Sequence, residues 1–192
     1  MSFKLQFFKF FKFLLANFLR PFITFLFSLY YKNIDKPRPL PPLKSEFLEL
    51  PAHELAERIR SRKVTSLAVV TAYIDRIKEI QPLVNCVVKT CYDEAIEEAK
   101  RVDKLLSEKT NDELETFDNG RYSKENAPLL GVPFSCKESI WVKGMPNSAG
   151  LYARKDEIAK EDNDVVKNVR NAGAILTCVT NTSEVINIFL LL

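Results

Sequence analysis

Pro128-Leu-Leu-Gly-Val-Pro-Phe-Ser-Cys-Lys-Glu-Ser-Ile-Trp-Val-Lys-Gly-Met-Pro-Asn-Ser-Ala-Gly150 is the stretch on which the fold turns. Gly131-Val132-Pro133 reads as a turn, and Val132 to Cys136 as a short buried strand behind it. The strand delivers Lys137 at its end. A Gly/Ser-rich loop follows, with Gly144, Ser148 and Gly150. A lysine at the end of a buried strand has few neighbours that keep it hydrated. Burial favours a neutral amine, the form a general base needs. The plainer alternative is a strand-end lysine whose ammonium snorkels to water.

Helices and short apolar runs alternate around this stretch. Ala52–Arg62 reads as a first helix. Thr65 or Ser66 caps a second, with Leu67, Val70, Ile74, Ile77 and Ile80 on one face, ending before Pro82. Val84–Val88 is strand-like. Tyr92–Glu108 is a third helix with Ile96, Ala99, Val102 and Leu106 inward. Residues 109–127 are polar and read as a surface loop. Beyond the lysine loop, Asn163 or Asp164 caps a helix through Asn171, Gly173 ends it, and Ala174–Val179 is a strand. This alternation points to an α/β core.

The N-terminus is different in kind. Ten of the 14 phenylalanines fall in residues 1–31. From Phe13 to Tyr31 only Asn17, Arg20, Thr24 and Ser28 interrupt an apolar run. As a helix it would span about 28 Å, close to the hydrocarbon thickness of a bilayer. Arg20 at mid-depth would cost about 3 kcal/mol on insertion scales, and Pro21 beside it could kink the helix. Lys9, Lys12 and Arg20 fall on roughly one side, which suits a segment lying in the membrane interface. Spanning and lying-on both stay open. A signal peptide is the third reading, but Leu29-Tyr30-Tyr31 offers no small-residue cleavage site. Pro37, Pro39, Pro41 and Pro42 make a stiff spacer before the body of the chain. The organisation expected is a membrane-anchor helix over 1–31, a Pro-rich linker over 32–45 and the α/β body over 46–192.

Charge follows the same division. Residues 1–44 hold eight basic groups against Asp35 alone, so the +3 of the whole chain leaves −4 for the rest. The positive charge belongs to the N-terminus and is not a nucleic-acid-binding surface. Cys86, Cys91, Cys136 and Cys178 show no Cys-x-x-Cys spacing and read as free thiols in or beside strands, not as disulfides or a metal site. No phosphate-binding glycine motif appears, and no metal or cofactor is expected. His53, the only histidine, reads as a helix-surface residue; Trp141 could pack in the core or line a pocket.

The quoted stretch resembles the start of the amidase-signature family, whose lysine sits in Gly-Val-Pro-x-x-x-Lys-Asp/Glu followed by Lys-Gly-x-x-x-Ser-x-Gly. The matching residues are Gly131, Val132, Pro133, Lys137 and Glu138, then Lys143, Gly144, Ser148 and Gly150. Leu48–Ser66, running on through Ile80 and Asn85, resembles the family's first two helices. Ala159–Ala174 and then Val179-Thr-Asn-Thr-Ser-Glu184 resemble the helix, strand and turn after the lysine. Gly144-Met-Pro-Asn-Ser148 and the apolar N-terminus lean towards the membrane-anchored fatty-acid amide hydrolase 2 branch.

The resemblance implies the N-terminal part of an amidase-signature fold: a mixed sheet with surrounding helices, preceded by an apolar anchor helix. It implies a Ser-Ser-Lys hydrolase of amide bonds with Lys137 as general base. It also implies a nucleophile and a bridging serine downstream of the lysine in a Gly-Ser-Ser-Gly context, and no serine here has that context. Ser135, Ser139 and Ser148 lie near Lys137 but read as strand and loop hydroxyls. The run Val-Ile-Asn-Ile-Phe-Leu-Leu-Leu after Glu184 departs from the family pattern. The expectation is therefore an incomplete amidase domain that is inactive alone and leaves Lys137 well hydrated. Its partners would be a lipid membrane through residues 1–31, such as the endoplasmic reticulum or another intracellular membrane, and an apolar amide once completed. No nucleic acid is expected, and an assembly of identical copies is compatible with the sequence. The alternatives are a non-catalytic lipid- or partner-binding fragment and a glutamyl-tRNA amidotransferase-like subunit, which would not need a Phe-rich anchor.

Overall fold

A computed structural model describes residues 3–32 and 39–183. The chain divides into two compact units after Pro39. Residues 33–38 of the expected linker and the apolar run Ile186–Leu192 lie outside the described residues.

The first unit is helical throughout: α1 (Phe3–Leu14), one π turn (Leu15–Leu19) and α2 (Arg20–Lys32). The π turn lies just ahead of Pro21, the residue at which a kink could fall. There the Arg20 N–H reaches back to the Leu15 carbonyl, shifting the ladder by one residue just ahead of the proline. The polar residues of the run bond to their own helix. Asn17 Nδ2 donates to Phe13 O at 2.9 Å, Thr24 Oγ1 to Arg20 O at 2.9 Å and Ser28 Oγ to Phe25 O at 2.8 Å. Among the described side chains of this unit none is buried. Phe10–Lys32 is long and apolar enough to cross a bilayer, with a mean hydropathy of 1.5.

In the second unit, α3 (Ala52–Arg60) buries Leu55, Ala56 and Ile59 in the same core as Val69, Val70 and Ile74 of α4 (Ser66–Val84). Thr65 Oγ1 caps α4 by accepting the Ala68 N–H at 3.1 Å. The carboxylate of Asp103, on α5 (Tyr92–Glu108), adds a second cap on the Ser66 and Leu67 N–H groups at 2.7 and 3.0 Å. A negative charge at a helix N-terminus is favourable, so this cap also fixes how α4 meets α5.

Helix α4 does not stop before Pro82 as expected. Proline's fixed φ is already helical and removes only one donor, so the last turn continues. Asn85, left-handed at φ +46°, ends it. Gln81 then accepts the Cys86 and Val87 N–H groups, both at 3.0 Å, and starts β1 (Val87–Thr90). The strand therefore begins three residues later than Val84. Helix α5 has the expected bounds; Ala95 joins Ala99, Val102 and Leu106 in the core, and Ile96 is half-buried against it.

The expected loop 109–127 contains a helix, α6 (Asn111–Thr116). Thr110 and Glu113 form a capping box, and Leu114 is fully buried, which anchors the turn to the core. Next come β2 (Pro133–Lys137), α7 (Asp164–Asn171) capped by Asn163, and β3 (Ile175–Thr180). The sheet order is β1-β3-β2, with β1 antiparallel and β2 parallel to β3. β3 lies in the middle and is buried from Ile175 to Val179, as a two-sided central strand should be.

Candidate active site around Lys137

Lys137 stands at the C-terminal end of β2, in register with Thr180 of β3. Backbone bonds pin this end on both sides. The Glu138 N–H donates to Thr180 O at 2.8 Å, and the Ile140 N–H to Lys137 O at 2.8 Å. Hydroxyls of β3 hold the strand across its register slip, Thr177 Oγ1 donating to Phe134 O at 3.0 Å and Thr180 Oγ1 to Cys136 O at 3.4 Å. Successive side chains of a strand point to opposite faces. Ser135 and Lys137 thus share an exposed face, while Cys136 and Glu138 turn into the protein. Among the described residues β2 is an edge of the sheet, and Lys137 is open to solvent. Among the described residues no hydrogen bond or ion pair engages Lys137 Nζ.

The following loop is ordered by main-chain bonds. The Gly144 N–H donates to Ala159 O at 2.9 Å and the Ala159 N–H to Met145 O at 3.0 Å, with Pro146 bridging Ile158. The Lys143 N–H donates to Asp162 Oδ1 at 2.7 Å, and Asp162 in turn faces Arg170 at 3.4 Å. The buried carboxylate of Glu138 accepts the N–H groups of Ser148 and Gly150.

Other candidates separate cleanly. Ser148 Oγ accepts the Gly150 N–H at 3.2 Å and so serves the turn; Ser135 is exposed and Ser139 half-buried. No hydrogen bond joins these hydroxyls to Lys137 among the described residues. Burial raises the thiols of Cys136 and Cys178 and pushes Cys91 up to about 12, so these are protonated packing residues and poor nucleophiles. His53 is exposed on α3. Trp141 is 48 % exposed, so of its two readings core packing does not hold. A cavity of about 460 Å³ between α5 and the end of α7, lined by Arg101, Val102, Leu105 and Arg170, does not include Lys137.

A family model described as Amidase matches residues 68–189, a span that contains Lys137, Glu138 and all three strands. The chain belongs to the amidase family. It is 44 % identical over 159 residues to fatty-acid amide hydrolase 2-B of Danio rerio, covering 83 % of this chain and 29 % of that relative. Against fatty-acid amide hydrolase 2 of Homo sapiens it is 46 % identical over 143 residues, covering 74 % and 26 %. The chain thus spans less than a third of the length of these curated relatives. The solved structure of a fatty acid amide hydrolase superposes with a TM-score of 0.61 at 20 % identity, over 80 % of this chain and 28 % of that one. The peptide amidase from Stenotrophomonas maltophilia superposes with a TM-score of 0.56 at 26 % identity, over 72 % and 26 %. The α/β architecture is that of the amidase-signature enzymes, with a mixed sheet and surrounding helices.

Proposed function

We propose that this chain is the lysine-bearing, N-terminal part of a membrane-associated amidase that hydrolyses fatty-acid amides or related apolar amides. The observation that carries this is Lys137, unpaired among the described residues, on the open face of β2 and beside an ordered Ser/Gly loop. It occupies the lysine position of the family motif within an amidase domain 44–46 % identical to fatty-acid amide hydrolase 2 proteins. In this reading Lys137 takes the proton of a bridging serine, which takes the proton of a nucleophilic serine as that oxygen attacks the amide carbonyl. In this reading both serines come from sequence downstream of these residues, and Lys137 is the base that these residues contribute. Residues 1–31 tether it to the bilayer. The support is an exposed Phe-rich helix whose Asn, Thr and Ser side chains bond to their own backbone, as hydrocarbon requires.

The test is hydrolysis of oleamide by the 192-residue polypeptide and by the same polypeptide joined to the downstream remainder of the human relative. The account predicts turnover only in the joined form. Turnover by the 192 residues alone that disappears in Lys137→Ala would sink it.

A further inference from the structure

We propose that Glu138 is the positioning residue that fixes the Ser148–Gly150 turn against the end of β2, its carboxylate occupying an anion nest of main-chain N–H groups. The inference rests on the reading of Lys137 only for what the turn serves. Glu138 follows the lysine directly, yet strand alternation sends the two side chains to opposite faces. The glutamate is 2 % exposed, and a buried carboxylate is costly unless its oxygens are taken up. Among the described residues no lysine or arginine forms an ion pair with it. Its compensation is the turn: one oxygen accepts the Ser148 N–H and the other the Gly150 N–H at 3.3 Å.

The backbone of the turn is shaped for this task. Ala149 and Gly150 are both left-handed, at φ +52° and +76°. Turn conformations of this kind bring neighbouring N–H groups into one concavity that accepts an anion. A side chain such as that of Ala149 holds the left-handed region only where its surroundings enforce it. Ser148 Oγ completes the arrangement by sharing the Gly150 N–H at 3.2 Å. Meanwhile the Glu138 N–H is fixed to Thr180 O at 2.8 Å. One residue therefore ties the lysine end of β2, the end of β3 and the Ser/Gly turn into a single piece. The carboxylate is spent on the turn, and among the described residues no acidic side chain forms an ion pair with the neighbouring amine.

The experiment is site-resolved amide hydrogen exchange on the 192-residue chain and its Glu138→Gln and Glu138→Asp variants. Glutamine keeps the size but offers one acceptor, and its NH₂ faces the second N–H. Aspartate keeps both acceptors on a shorter stem. A nest predicts at least tenfold faster exchange at Ser148 and Gly150 in Glu138→Gln, with Glu138→Asp between it and the wild type and the α5 amides unchanged. A residue that merely packs gives the opposite order, with Gln like the wild type and Asp worse; that result overturns the proposal. Should Glu138→Gln loosen α5 as well, Ala149→Gly carries the test. Relief of the left-handed side chain should then slow exchange at Gly150, and faster exchange overturns the nest. Amide hydrolysis is not read, so failure of the lysine assignment leaves these outcomes standing.

Discussion

Replacing Gly131 with alanine should cost this domain about 3 kcal/mol, and the geometry gives the reason in two separable parts. Gly131 has φ +77°, and left-handed backbone costs an alanine about 1–2 kcal/mol. The added Cβ would also lie 2.7 Å from Ser66 Oγ and 2.9 Å from Ser66 Cβ. Ser66 cannot step aside freely, because it is fully buried and its hydroxyl donates to Gly131 O at 2.8 Å. Overpacking of this kind costs about 1–3 kcal/mol. The loss of unfolded-state freedom gives back about 0.4–1 kcal/mol. For a domain of this size each kcal/mol is about 2–4 °C, so the midpoint should fall by roughly 6–12 °C. Gly144→Ala is the control. Its φ is +78°, but nothing lies within 4 Å of the added Cβ, so it meets only the conformational cost. Thermal melts of the chain and both variants in detergent, followed by circular dichroism, measure the difference. A Gly131→Ala midpoint within 2 °C of the wild type, or one equal to that of Gly144→Ala, refutes the reasoning.

The buried guanidinium of Arg60 donates to the carbonyls of Tyr122, Ser123 and Ala127 at 2.9, 3.3 and 2.9 Å, so Arg60→Met should destabilise by about 1–3 kcal/mol. Denaturant unfolding checks this, and an unchanged midpoint contradicts it. Half-buried Cys86 should alkylate first at pH 8. Cys91, pushed up to about 12 by burial, stays protonated until far higher pH and should label last; mass spectrometry that finds Cys91 as fast as Cys86 counts against the packing described. Deleting residues 1–31 should move the chain from the membrane fraction to the soluble one, and equal partition of both forms would reject the tether. Resistance of the full chain to alkaline carbonate indicates spanning, and release indicates an interfacial helix.

How much of this was legible in the sequence depends on how local the cause is. Helix α5 was readable to its ends because its apolar period and flanking residues are contained within it. The strands β2 and β3 were readable as apolar runs closed by turn residues. Helix α6 was missed in a polar stretch although Thr110 and Glu113 spell a capping box, because composition outweighed the cap. The start of β1 was displaced because Gln81, outside the strand, decides where it begins. Lys137 was singled out from its motif. The burial of Glu138 was not, because it depends on a turn ten residues away returning to the strand end. The Asp103 cap on α4 was invisible for the same reason, since 36 residues separate donor and acceptor.

The most direct test of the account is the lysine itself, in a chain able to turn over. Residues 1–183 are joined to the downstream remainder of the human fatty-acid amide hydrolase 2, and oleamide hydrolysis is compared with and without Lys137→Ala. Lys137 is exposed, so the substitution should leave the thermal midpoint in place and isolate the chemistry. The account predicts a loss of kcat of about 10²–10⁴-fold, the range for removal of a general base. A Lys137→Ala protein that folds as before and keeps its kcat within a few-fold would contradict it.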